Sequence, residues 1–116
     1  MIDVKTVEVF LAPGSTDLRK SINGLSILVD DYCAGNLFSG SLFVFCNRRC
    51  DLIKVLYWDR NGFCLWMKRL EKTRFPWPQS DQETVCIDRR ALNWLLDGLN
   101  WVQDQAHERL DYQRIC

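Results

Sequence analysis

The chain has 116 residues, yet only one histidine, three prolines and a formal net charge of zero. It also lacks any apolar run of about 18 residues, which argues against a transmembrane helix. The N-terminus, MIDVKTVEVF, has neither a basic n-region nor an apolar h-region. No secretory signal is therefore expected, and the expected compartment is the cytoplasm. Catalytic signatures are just as sparse. The pattern Gly-x-x-x-x-Gly-Lys-Ser/Thr is absent, so there is no P-loop. A nuclease or transposase needs clustered carboxylates to hold two metal ions. Asp17, Asp30, Asp31, Asp51, Asp59 and Asp88 are present, but no motif ties them together. The single histidine, His107, lies in a polar tail, and neither Ser15 nor the cysteines have an identifiable neighbouring base. Cys46-x-x-x-Cys50 is not a standard zinc spacing. No catalytic residue, metal or cofactor is expected, and a metal-dependent nuclease is the least supported reading.

What is present is a core. Hydrophobic residues make up 47% and charged residues 26%, with five Trp and six Phe. That is enough apolar material for one domain over 1–116, with no internal repeat or low-complexity segment. Cys33, Cys46, Cys50, Cys64, Cys86 and Cys116 are an even number. Without a signal, free thiols in a reducing compartment are expected over disulfides. The zero net charge hides an asymmetry. Arg48 to Arg74 carries eight Lys/Arg and three Asp/Glu, and the rest carries seven and twelve. A basic middle could face nucleic acid, while the acidic remainder weakens attraction of the whole molecule.

Alternation over Thr6 to Leu11 predicts a first strand. Ala12-Pro13-Gly14 breaks it. Ser15, Thr16 and Asp17 suit a helix start, and Leu18, Ile22, Leu25 and Val29 recur at helical spacing to about Tyr32. Strands follow at Leu42 to Cys46, Leu52 to Trp58 and Phe63 to Leu70. Asn61-Gly62 is a hairpin signal because these residues tolerate positive φ. Thr84 to Ile87 predicts a last short strand. Asp88 caps a helix whose stripe is Leu92, Leu95, Leu96 and Leu99, which Gly98 ends or bends. Val102, Ala106 and Leu110 could continue a helical face. The predicted architecture is a compact α+β domain, a mostly antiparallel sheet of four or five strands packed with two or three helices. The middle of the sheet is expected to bury one face and show cations elsewhere.

Four blocks of residues then carry a resemblance. They are Gly14-x-Thr16-Asp17-x-Arg19-Lys20-Ser21 with Gly24-Leu25; Phe38-x-Gly40-x-Leu42-Phe43-Val44-Phe45-x-Asn47-Arg48-Arg49; Lys54-x-Leu56-x-Trp58-Asp59-x-x-Gly62-Phe63; and Lys68-Arg69-Leu70-Glu71-x-x-Arg74-Phe75-x-Trp77-Pro78. In order and spacing they resemble the small accessory protein, TnpB, of bacterial transposons of the insertion sequence 66 type. The resemblance covers about residues 9–101, with 102–116 as a variable tail. Leu18 stands where the family pattern has methionine, and Cys50 is an unusual neighbour of Arg49. The resemblance implies a non-catalytic role in transposition and DNA recombination, with strand cutting left to a separate transposase. Transposon-end DNA and the transposase, or another protein of the same element, are the implied partners. No membrane partner is implied, and the sequence carries no signal for an oligomeric state.

Candidate sites follow from residue chemistry. Arg48, Arg49, Lys54, Lys68, Arg69, Lys72 and Arg74 could bind a phosphate backbone if they share a face. Otherwise they form a solvated face paired with Asp51, Asp59 and Glu71. Arg19 and Lys20 lie just inside the turn from strand to helix, where free N–H groups could meet an anion. That turn also reads as a plain cap, with Asp17 and Arg19 or Arg48 forming a buried polar anchor. Trp58, Phe75 and Trp77 could make a partner-binding patch, or could close one end of the core.

Overall fold

The computed structural model describes residues 8–32, 37–78 and 84–99. Five strands and two helices follow in the order β1 Val9–Leu11, α1 Ile22–Tyr32, β2 Leu42–Cys46, β3 Leu52–Asp59, β4 Gly62–Arg69, β5 Val85–Ile87 and α2 Arg89–Leu96. They build one sheet in the order β4-β3-β2-β1-β5. β1 and β2 run parallel, joined through α1, and every other pairing is antiparallel. The architecture is a compact α+β domain with a mostly antiparallel sheet.

The sheet buries both faces. Val9, Leu11, Val44, Ile53 and Val55 pack with Phe75 and with Ala91, Leu92 and Leu95 of α2. Phe10, Phe43, Phe45 and Leu56 pack on the other side with Leu18 and with Leu25 and Val29 of α1. This explains why β2 reads Leu-Phe-Val-Phe-Cys with no polar residue. A central strand covered on both sides has no solvent face to make polar. Phe10 and Phe43 stack at 5.3 Å across the β1–β2 pair. The expectation of one buried face underestimates the second helix as a lid.

Several element boundaries differ from expectation for local reasons. α1 begins at Ile22 rather than near Ser15. Leu25 N–H bonds the Ser21 carbonyl at 2.9 Å, which starts the helix there. The stretch before it is held in another shape: Thr16 N–H donates to the Cys46 carbonyl at 2.8 Å. Lys54 Nζ donates to the carbonyls of Leu18 and Lys20 at 2.8 and 3.3 Å. Tertiary bonds here override helix propensity. Gly24 sits where a Cβ would come within 3.1 Å of the Lys20 side chain, which would have to shift by a few tenths of an ångström to admit it. In the β3–β4 hairpin Asp59 pairs Gly62, so Gly62 belongs to the strand. Positive φ falls on Arg60 instead of Asn61 or Gly62. α2 starts as expected, with the Asp88 carboxylate accepting from Ala91 N–H at 2.8 Å. It ends before Gly98, whose φ of +76° favours glycine.

Cys46, Cys50 and Cys64 are free thiols. Cys86 is disulfide-bonded, which the sequence reading does not foresee. The expected strand residues Thr6 and Val7, and the tail positions Val102, Ala106 and Leu110, lie outside the described residues. Among the described residues no helix is long and apolar enough to cross a membrane.

Candidate nucleic-acid interface

β1 and β2 are parallel, so both finish at the same end of the sheet, where β3 begins and β4 stops. Three irregular segments meet there: the β1–α1 loop, the β2–β3 turn and the chain after β4. The carboxyl end of parallel strands is where open α/β sheets leave a crevice. Here that crevice is an open groove of about 590 Å³, walled by Ser15 to Arg19 on one side and Asn47 to Arg49 on the other. Leu52 lies in its lining. Two motif blocks about thirty residues apart in sequence thus face each other.

Each wall is pinned. In the first, Gly14 takes φ +73° and its N–H bonds the Pro78 carbonyl at 2.9 Å. Trp77 Nε1–H donates to the carbonyls of Ala12 and Gly14 at 3.0 and 2.9 Å. Asp17 and Arg19 form a forked pair, with Nη2 to Oδ2 at 2.7 Å and Nε to Oδ1 at 2.9 Å. The pair is exposed, 91% for Arg19 and 46% for Asp17, so it is no buried anchor. The Arg19 guanidinium and its backbone N–H hold the Asp17 carboxyl well below the usual carboxylate range.

Asn47 organises the second wall. Its Oδ1 accepts from the N–H groups of Asp51 and Leu52, both at 3.1 Å. Its Nδ2 donates to Asp51 Oδ1 at 2.7 Å. The Asn47 amide, with Arg49 and Arg74 nearby, lowers the Asp51 carboxyl from its ordinary value. Cys50 takes φ +59° to close the turn. The chain after β4 braces it: Leu70 N–H bonds the Asp51 carbonyl at 2.8 Å, and Phe75 N–H bonds the Cys50 carbonyl at 2.7 Å. Burial pushes the Cys46 thiol up, with Cys50 beside it adding to the shift.

All nine candidate cations stand at this end, on the turns and on the adjoining strand ends, and not on one sheet face. Their side chains do three different things. Lys54, Lys68 and Arg74 are structural. Lys68 Nζ donates to the Leu96 carbonyl at 2.7 Å, at the C-terminus of α2. Arg74 Nη1 donates to the Arg49 carbonyl at 2.6 Å. Lys54 and Lys68 are adjacent to opposite helices, so these two do not share a face. Arg19, Arg49 and Arg69 are exposed but have carboxylate neighbours: Asp17, Asp51 at 4.0 Å and Glu71 at 3.2 Å. Lys20, Arg48 and Lys72 are exposed and have no ion pair among the described residues. Four carboxylates, Asp17, Asp51, Glu71 and Asp97, accompany the nine.

Phe75 is 2% exposed and belongs to the core, so it offers no surface to a partner. Trp77 is half-buried and ties the β1–α1 loop through its indole N–H. Trp58 is at the other end of the sheet, edge-on to Phe38 and Phe63 at 5.0 Å each. The roles of Asn47 and Lys54 were missed by sequence reasoning. A lone lysine inside an apolar strand was the available signal, since a buried ammonium needs acceptors. Among the described residues no three metal-ligating side chains cluster.

The comparisons with known proteins agree with the resemblance. The family model described as IS66 Orf2 like protein matches residues 7–106. Two relatives from Sinorhizobium fredii (strain NBRC 101917 / NGR234) are similar over most of their length. One, "Uncharacterized protein y4hO", is 37% identical over 101 residues, 87% of this chain and 88% of the relative. The other, "Uncharacterized protein y4jC", is 30% identical over 97 residues, 84% and 83% of the two chains. No solved structure matches. The groove is walled by residues of two of the motif blocks within the matched region, and the chain belongs to the IS66 Orf2-like family of transposition-associated accessory proteins.

Proposed function

We propose that the protein is a non-catalytic accessory factor in transposition of a bacterial insertion sequence, and that it binds DNA through the basic end of its sheet. The observation that carries this is a groove whose two walls bear Arg19 and Arg48 with Arg49, at the same end of the sheet as Lys20 and Lys72, with Lys20, Arg48 and Lys72 in no ion pair among the described residues. Arginine forks and lysine point charges suit phosphate oxygens. Binding there releases counterions and supplies affinity without any bond-breaking step. Bound DNA at this end leaves the rest of the surface available to a transposase.

The test is a titration against labelled duplex at low and moderate salt, using the wild type and the double variant Arg48→Glu/Arg49→Glu. Salt-sensitive binding that the double variant loses is expected. Absence of wild-type binding at low salt overturns the proposal. A second reading, an adaptor docking on the transposase without DNA contact, is favoured by the exposed ring of Phe38 against Trp58 and Phe63. It predicts co-purification with transposase that survives nuclease and high salt and is lost in Phe38→Ser.

A further inference from the structure

We infer, resting on the DNA-binding reading above, that the basic end grips the phosphate backbone of double-stranded DNA and does not read or stack on bases. Among the described residues the groove lining contains no aromatic side chain. Proteins that hold single strands combine cations with aromatic platforms, because base stacking contributes about 1–3 kcal/mol per base. In the described chain after β4 the aromatics are committed elsewhere. Phe75 is in the core, and Trp77 has its indole N–H on two backbone carbonyls. The exposed aromatic cluster is Phe38, Trp58 and Phe63, beside the β3–β4 hairpin at the opposite end.

Nor, among the described residues, does a helix or ribbon at this end suit reading of the major groove. The distinct pattern of the major groove is read by a helix or a two-stranded ribbon inserted into it, and the minor groove offers only a degenerate one. The β3–β4 ribbon turns at the far end. α1 and α2 lie against the sheet with their apolar sides buried. What projects around the groove is turns, carrying Arg48 and Arg49 on one wall and Arg19 on the other. Fixed cations without stacking partners favour the denser charge. A duplex carries one phosphate per about 1.7 Å of axis, and counterion release per contact is larger than on a single strand. Contacts to phosphate position a protein but carry no sequence information.

The experiment uses the full chain and three probes of equal length: a duplex with the element's terminal repeat, a scrambled duplex and a single strand. The two duplexes are expected to bind within about threefold of each other, and the single strand more weakly. Three to six exposed cationic heads give a duplex salt slope of about −3 to −5. That is a loss of about 50- to 1,000-fold between about 50 and 200 mM salt. Phe38→Ser is expected to leave all three affinities unchanged. A single strand bound as tightly as the duplex, or an about tenfold preference for the terminal repeat, overturns the inference while leaving DNA binding standing. Loss of single-strand binding in Phe38→Ser also overturns it, by placing stacking at the other end. Failure of every probe to bind removes the inference together with the function beneath it.

Discussion

At one end of the sheet two segments face each other across a groove, and at the other the chain closes in a two-residue hairpin beside three aromatics, with Trp58 edge-on to Phe38 and Phe63. Among the described residues the groove end carries nine Lys/Arg and four Asp/Glu. The hairpin end carries Arg60, Arg89 and Arg90 against Glu8, Asp30, Asp31, Asp59 and Asp88. A neutral chain is therefore polar from end to end. The contrast also separates two uses of a cation. Lys54, Lys68 and Arg74 hold carbonyls that the turns and α2 leave without partners. Lys20, Arg48 and Lys72 are displayed. Counting charge therefore overstates what is available to DNA, since three of the nine are engaged with backbone carbonyls of the protein.

The sharpest way to break this contrast is to reverse displayed charges at the groove end and compare with charges reversed at the hairpin end. Arg48→Glu with Lys72→Glu is expected to lower duplex affinity about a hundredfold at low salt, while the melting temperature stays close to that of the wild type. Arg89→Glu with Arg90→Glu, the same charge change at the hairpin end, is expected to lower affinity far less. Equal losses in a titration of both variants would mean that net charge, and not the groove end, governs binding.

Next in size is the turn itself. Asn47→Ala removes two acceptor bonds and one donor bond without altering any charge. It is expected to destabilise by about 2 kcal/mol in denaturant unfolding. DNA affinity should fall as well, because Arg48 and Arg49 lose their fixed positions. The same turn predicts an acid limb. The Asp51 carboxyl is held below its ordinary value by the Asn47 amide first, then by Arg49 and Arg74. Its contribution is full above about pH 4, the unfolded carboxyl's range, and fades as pH falls through the lower folded value. The stability gap between wild type and Asp51→Asn should therefore narrow below about pH 4. A gap unchanged down to pH 2 would deny Asp51 that part.

Smaller effects come from the structural lysines. Lys54→Met and Lys68→Met keep the aliphatic stem and leave carbonyls without their ammonium donor. Each is expected to cost about 1 kcal/mol of stability, with binding reduced less than by the displayed pair. These two residues also show what was legible in advance. The order of the strands and the Asp88 cap follow from hydrophobic patterning and capping chemistry, and they stand within a residue or so of where the sequence puts them, save that Glu8 lies outside β1. The cations stand together at one end of the sheet, but their division between displayed and structural was not visible in the sequence. Whether a strand lysine meets solvent or the carbonyl of Leu18 depends on a segment some 36 residues away. The late start of α1 has the same origin, because Thr16 and Leu18 are claimed by β2 and β3 before the helix can claim them. Periodicity reports on neighbours along the chain, and these contacts are not neighbours.

The finest comparison uses one residue from each end. Cys50 and Arg60 both hold positive φ, at +59° and +54°, the region where a side chain strains the backbone. Replacing either by glycine relieves that strain, worth about 1 kcal/mol, less the entropy glycine loses on folding. At Arg60 nothing offsets the gain, because the residue is exposed in the hairpin and has no ion pair among the described residues. Arg60→Gly is expected to stabilise by about 0.5 kcal/mol, a rise of a few degrees in melting temperature, with DNA binding unchanged. Cys50 differs, since its half-buried side chain packs against the core cluster under α2. Cys50→Gly gives up that packing and loosens the turn that carries Arg48 and Arg49, so it is expected to be neutral or destabilising and to weaken binding. Equal stabilisation by both glycines would mean that the β2–β3 turn is no more constrained than the hairpin, and the groove end would lose its claim to a built, pre-set display of charge.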